Sequence, residues 1–212
     1  MPKIKIPKEI VYILGFSLVL ILLRFYFFHN RSLNWMVWNI FLGFIPFFIS
    51  SVFLYLHQKN RLINIIFILG GIVWLLFLPN APYLVTDIIH VRNNGFVPPV
   101  YDAILLFSSG ILGMLFFSYS VFDMEQILKN KIKEKYIRMI IFAVFFLTAF
   151  GVYLGRFLRF NSWDVLTNHI SFASDVWSMF SRYSSYLEFI FYIVLFFSFL
   201  SVFYYSWKSY KK

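Results

Sequence analysis

Apolar residues in this chain come in long runs, and the polar positions fall between them. A surface helix would instead show a stripe repeating every 3.6 residues, with polar residues on its other face. Six runs have the roughly 17–25 residues needed to cross a hydrocarbon core. They are Glu9–Phe28, Trp35–Leu56, Leu62–Leu78, Val100–Phe122, Tyr136–Gly155 and Leu187–Trp207. The pattern predicts an all-α integral membrane protein with six transmembrane helices in a single multi-pass domain, 1–212. The third run is the shortest and is expected to stop at Pro79, because proline disfavours the α region at the residue before it. Pro46 inside the second run predicts a kink and a freed carbonyl that neighbouring helices must satisfy. Lys3, Lys5 and Lys8 precede the first run as in a secretory signal. The run continues through Arg24 to Phe28 without a small-residue cleavage pattern, so it reads as a retained span.

Composition supports the bilayer as solvent. Of the 212 residues 61% are hydrophobic and 13% charged, with 30 Phe, against about 25% charged in a soluble domain. The net charge of +10 does not point to nucleic acid, because that reading needs a basic face on a soluble module. Basic residues set orientation instead, since Lys and Arg concentrate in short cytoplasmic loops. With both termini inside, 13 Lys and Arg fall on the cytoplasmic side, including every Lys, and 6 Arg fall outside. No Cys is present, which removes disulfides, thiolate metal sites and Cys nucleophiles.

Two segments on the expected outer side are too long and patterned for simple connectors: 79–99 and 156–186. In the first, Tyr83, Thr86, Asp87 and His90 fall at i, i+3, i+4 and i+7, one polar stripe on a helix. Pro82 suits a first-turn position with Asn80 in the cap region, so a short re-entrant or interfacial helix is expected over about 82–91. In the second, Trp163, Leu166, Ile170, Ala173, Trp177 and Phe180 recur at spacings of 3 and 4. These predict an amphipathic helix over about 163–181 lying on the outer leaflet, with Asn161 or Ser162 as N-cap and Asp164 facing the positive helix terminus. Arg156 and Arg159, three apart, are expected to share a helical face. Guanidinium groups suit carboxylates and phosphates because each bonds two oxygens at once. Asp87, Asp102 and an anionic ligand are their candidate partners. Pairing Asp87 and His90 with Asp164 and His169 lacks the adjacent-turn His pair of zinc proteases, so no metal site is expected.

The run Leu78-Pro79-Asn80-Ala81-Pro82-Tyr83 followed by Thr86-Asp87 and His90, and the run Gly155-Arg156-Phe157 with Arg159 and Asn161-Ser162-Trp163-Asp164, resemble the signature blocks of an uncharacterised bacterial membrane-protein family classed as a domain of unknown function. Trp38-Asn39, Pro46 and Tyr101-Asp102 share the resemblance. It implies a multi-pass protein of the bacterial envelope, and brings no activity, cofactor or catalytic residue with it.

These observations converge on the expected outer face of a bacterial plasma membrane. The reading they favour is a site binding, and modifying, an anionic lipid or isoprenoid-phosphate headgroup. Asp87 and His90 would be the acid/base pair. Arg156, Arg159 and Arg92 would hold phosphate, with Tyr83, Thr86, Asn80, Asn161 and Asp164 in support. A small-solute or ion transporter and a non-catalytic envelope scaffold are the competing classes.

Overall fold

A computed structural model describes residues 6–28, 33–91, 97–159 and 183–211. These are helical almost throughout and form two compact units, Met1–Lys131 and Ile132–Lys212. The first contains α1 (Lys8–Phe28), α2 (Trp35–Gln58), α3 (Asn64–Phe77), α4 (Asn80–Thr86), a 3-10 segment (Asp87–His90) and α5 (Pro99–Lys129). The second contains α6 (Glu134–Phe157) and α7 (Tyr183–Tyr210). Six candidate spans are long and apolar enough to cross a membrane, the third running from Asn64 to His90. The chain is therefore a multi-pass membrane protein. The amphipathic helix expected at about 163–181 lies outside the described residues.

The axis of the first unit is α5. Its 31 residues make about 46 Å of helix, more than the roughly 30 Å of a hydrocarbon core. Small residues let other helices approach it closely, as packing in lipid favours. Helix α1 lies antiparallel against it and buries only Ile10, Ser17 and Arg24, a stripe repeating every seven residues. Each polar member of that face meets a polar group on α5. Tyr119 donates its hydroxyl to Glu9, Ser17 and Ser108 are hydrogen-bonded at 3.1 Å, and Arg24 grips Asp102. The other flank of α1 carries Tyr12, Val19, Leu22 and Tyr26, all exposed. In a bilayer that flank meets acyl chains rather than water.

Helix α2 packs on α5 through Phe44 and Phe47 against Phe116. The carbonyl of Pro46, inside α2, accepts 2.9 Å from Ser120, and Ser120 in turn accepts 2.7 Å from the Trp74 indole of α3. A neighbouring helix thus serves the carbonyl of the proline itself, whereas the carbonyl that its missing N–H frees is that of Leu42, four residues earlier. Helix α2 ends in a Schellman motif. Arg61 N–H reaches Leu56 O and Asn60 N–H reaches His57 O, each at 2.9 Å. Asn60 itself sits at φ 54, the left-handed region that Asn tolerates better than most residues.

The third span differs from the expected one. Leu78 and Pro79 keep right-handed helical dihedrals, and the chain carries on in one direction. Trp74 meets Ser120, Ala81 lies against Gly113 and Val85 against Gly110, so α3 and α4 descend α5 in continuous order. Pro79 is a kink rather than a stop. Two prolines within four residues remove two backbone donors, which would leave helix carbonyls unserved. Ala81 N–H turns to Leu78 O at 3.2 Å, and the Asn80 amide fills the gap by donating to Phe77 O at 3.0 Å. The short helix accordingly begins at Asn80, two residues before the expected start.

The second unit is a pair of antiparallel helices joined by aromatic rings. Phe145 packs against Phe197 and Tyr204, while Tyr153, two turns further along α6, packs against Phe189 and Tyr192.

Candidate functional site

The polar residues of 80–90 are positioned by close backbone packing. Gly43 of α2 brings the α4 backbone close enough that a Cβ there would stand 3.3 Å from both Ala81 Cα and Asn80 O. On α5, a Cβ at Gly113 would collide with Ala81 O, and one at Gly110 would lie 3.3 Å from Val85 Cα. Three glycines from two helices thus clamp α4, and the 3-10 segment continues from a fixed base.

Asp87 starts that segment with a relative exposure of 1%. The amide of Asn39 on α2 donates to its Oδ2 at 3.2 Å. One turn on, the His90 ring stands edge-on to Trp35, with centroids 5.0 Å apart. Trp35 and Asn39 are four apart on α2, whereas His90 and Asp87 are three apart on the tighter 3-10 segment, so the pairs match across two antiparallel elements. The stripe expected from spacing alone therefore does bring Asp87 and His90 onto one face, and that face is turned toward α2. Asp87 is buried while His90 is half-buried. Tyr83 and Thr86 are half-buried as well, and Thr86 returns its hydroxyl to Tyr83 O at 2.7 Å. Asn80 serves the kink described above.

At the same end of the first unit, Arg24 and Asp102 form a bidentate pair. Nε donates to Oδ1 at 2.8 Å and a terminal nitrogen to Oδ2 at 3.0 Å. Both side chains are at most 4% exposed. Next to it the Tyr101 hydroxyl donates to Leu20 O at 2.6 Å. Asp102 thus has both oxygens engaged by Arg24, a residue that orientation counting treats merely as an outer charge.

In the second unit, Arg156 lies in the last turn of α6. Arg159 does not continue the helix. It follows Leu158, the C-cap, with φ 57, and a non-glycine residue in that region costs roughly 1–2 kcal/mol. The expectation that the two arginines share a helical face fails, because that face needs a helix running through Arg159 and α6 ends at Phe157. Arg92, Asn161 and Asp164 lie outside the described residues.

Asn39, Trp35 and Arg24 were not singled out as site residues by sequence reasoning. The usable signals were present: Ser17 and Arg24 seven apart in an otherwise apolar run, and Asn39 as a polar residue inside a span. Among the described residues no group of three or more His, Asp or Glu is placed to hold a metal ion.

Comparison with curated proteins and with solved structures finds no match. A family model described as a protein of unknown function (DUF1361) matches residues 38–202, which takes in α2 from Trp38, the whole 80–90 segment, α5, α6 and most of α7. The chain is therefore a multi-pass membrane protein belonging to the DUF1361 family of unknown function.

Proposed function

We propose that the protein lies in a bacterial plasma membrane with both termini in the cytoplasm, and that its external face binds an anionic lipid or isoprenoid-phosphate headgroup and acts on it. Orientation rests on the distribution of Lys and Arg. Asp87 and His90 are the acid/base pair, and Arg156 with Arg159 supplies cationic groups for phosphate. Tyr83 and Thr86 supply hydrogen bonds.

The observation that carries this reading is Asp87: a carboxyl group within a candidate span, 1% exposed, on a segment clamped through three glycines. Ionisable groups at such positions are costly and mark functional sites by default. Clamping of this kind preorganises a side chain, which a site needs. His90, half-buried at the end of the segment, brings an imidazole, the side-chain type most often used for general acid–base catalysis.

The test uses the full-length chain in lipid nanodiscs and measures binding of phosphatidylglycerol and of a polyprenyl phosphate against phosphatidylcholine. Both anionic lipids should bind preferentially, and Arg156→Lys should weaken them about tenfold, the effect of losing about 1.4 kcal/mol. Binding indifferent to headgroup charge would overturn the proposal. A second reading, transport, draws support from the break at Pro79–Pro82, since transporters build sites at interrupted helices. It predicts a water-accessible path along α4 in labelling of introduced cysteines, which the headgroup reading does not.

A further inference from the structure

The opposite end of the first unit holds a second buried carboxyl group, Asp123 on α5, with a relative exposure of 8%. Its surroundings differ from those of Asp102. Two hydroxyls of α2 meet the same oxygen: Ser51 Oγ at 3.1 Å and Ser50 Oγ at 3.4 Å from Oδ2. Among the described residues no Lys, Arg or His is ion-paired with it, whereas Arg24 pairs with Asp102 and Lys129 with Glu125.

Counting protons makes the arrangement informative. A serine hydroxyl has one proton to donate. That of Ser50 has a better acceptor in Phe47 O, at 3.0 Å. The Tyr119 proton, one turn back along α5, goes to Glu9. An ionised Asp123 would therefore have Ser51 as its one committed donor, with Glu9, a second carboxyl group, on the far side of Tyr119. A protonated Asp123 resolves both difficulties. Its own O–H donates to the free lone pair of Ser50 Oγ, and no charge is buried without a counter-ion, which would otherwise be expensive.

The charged and titratable groups on the neighbouring elements are few. Helix α1 presents Glu9, with Lys8 exposed at its start. Helix α2 carries His57, whose ring nitrogen is bonded to Asn130 at 3.0 Å. Helix α3 carries no charged residue, and Asp87 follows α4 at the other end of the unit. On α5 itself Glu125 is paired with Lys129 at 3.2 Å.

From this geometry we infer that Asp123 is a proton-binding site, occupied at neutral pH and exchanging with water from the Lys129 end of α5. Release breaks the Asp123 O–H bond and passes the proton to water. The Ser50 hydroxyl then swings from Phe47 O to Oδ2. Proton release is thereby tied to the backbone of α2 next to Pro46, which contributes no N–H to that helix. The site is separate from Asp87 and stands or falls independently of the headgroup proposal.

Infrared difference spectroscopy of the full chain in nanodiscs, taken across neutral pH with hydrogen–deuterium exchange, reads this directly. A protonated-carboxyl band should be present at neutral pH, vanish in Asp123→Asn and persist in Glu9→Gln. In chain labelled with carboxyl-13C aspartate the band should move, and Ser51→Ala should shift it further. This second measurement needs no substitution at Asp123 itself. Absence of a carboxyl band at neutral pH, a band that persists in Asp123→Asn, or a band that the aspartate label leaves in place would overturn the inference.

Discussion

Removing the Arg24 guanidinium is the sharpest test of how the first unit is held together. Asp102 is 3% exposed and both its oxygens accept from Arg24. Arg24→Met keeps the apolar stem of the side chain and leaves a buried carboxylate with its counter-charge gone. Breaking a buried pair in this way costs about 3–5 kcal/mol, or roughly two to four orders of magnitude in the folded-to-unfolded ratio, since each 1.4 kcal/mol is tenfold. Asp102→Leu, which strands the arginine instead, should cost a similar amount. The double variant is the discriminating one. With both charges gone the desolvation penalty disappears, and the pair of apolar residues should come back to within about 1–2 kcal/mol of wild type. The single effects should therefore be strongly non-additive. The assay is reversible unfolding in mixed micelles, followed by tryptophan fluorescence, for all four members of the cycle. An Arg24→Met cost below about 1 kcal/mol, or a double variant as unstable as the sum of the singles, would show that the pair does not fasten α1 to α5.

Gly113→Ala should destabilise by about 1–3 kcal/mol, the cost of overpacking, because the added methyl meets Ala81 O. Gly71→Ala, where nothing lies within 4 Å, should be neutral or slightly stabilising in the same unfolding assay, as expected for glycine replaced by alanine in a helix. Asn80→Ala leaves Phe77 O without the amide that serves it and should cost about 1–3 kcal/mol; Asn80→Asp, which has no donor, should not rescue it. Asp87→Asn should abolish any turnover of a bound headgroup lipid in nanodiscs while leaving stability within about 1 kcal/mol, since the burial of a charge is relieved as the Asn39 contact is weakened. Turnover unchanged in that variant would remove Asp87 from the acid/base role.

The six apolar runs were legible because run length and the scarcity of charge carry the signal, and neither depends on long-range contacts. The third boundary was not. Pro79 reads as a helix stop when its own effect is weighed alone, and only the Asn80 amide turning back to Phe77 O makes a kink tolerable. The Asp87–His90 relation could be read from spacing, because it is local. Their partners Asn39 and Trp35 could not, as the match depends on a 3-10 segment facing an α-helix 48 residues away. Arg24 and Asp102 are 78 residues apart, and nothing in the local sequence says which acid an arginine in an apolar run will find. The arginine spacing at 156 and 159 failed for a different reason: one left-handed residue ended the helix, and helical spacing has no meaning beyond it.

An external site requires the Asp87 end to face out of the cell, and α2 offers both ends of one helix for a single experiment. Asn34 precedes it and Gln58 closes it, both exposed, separated by about 36 Å of helix. The chain has no cysteine of its own, so Asn34→Cys and Gln58→Cys can each be probed in intact bacterial cells with a membrane-impermeant maleimide. The proposal requires labelling of Asn34→Cys in intact cells and of Gln58→Cys only after permeabilisation. The reverse pattern would put the Asp87 end in the cytoplasm and contradict the external site.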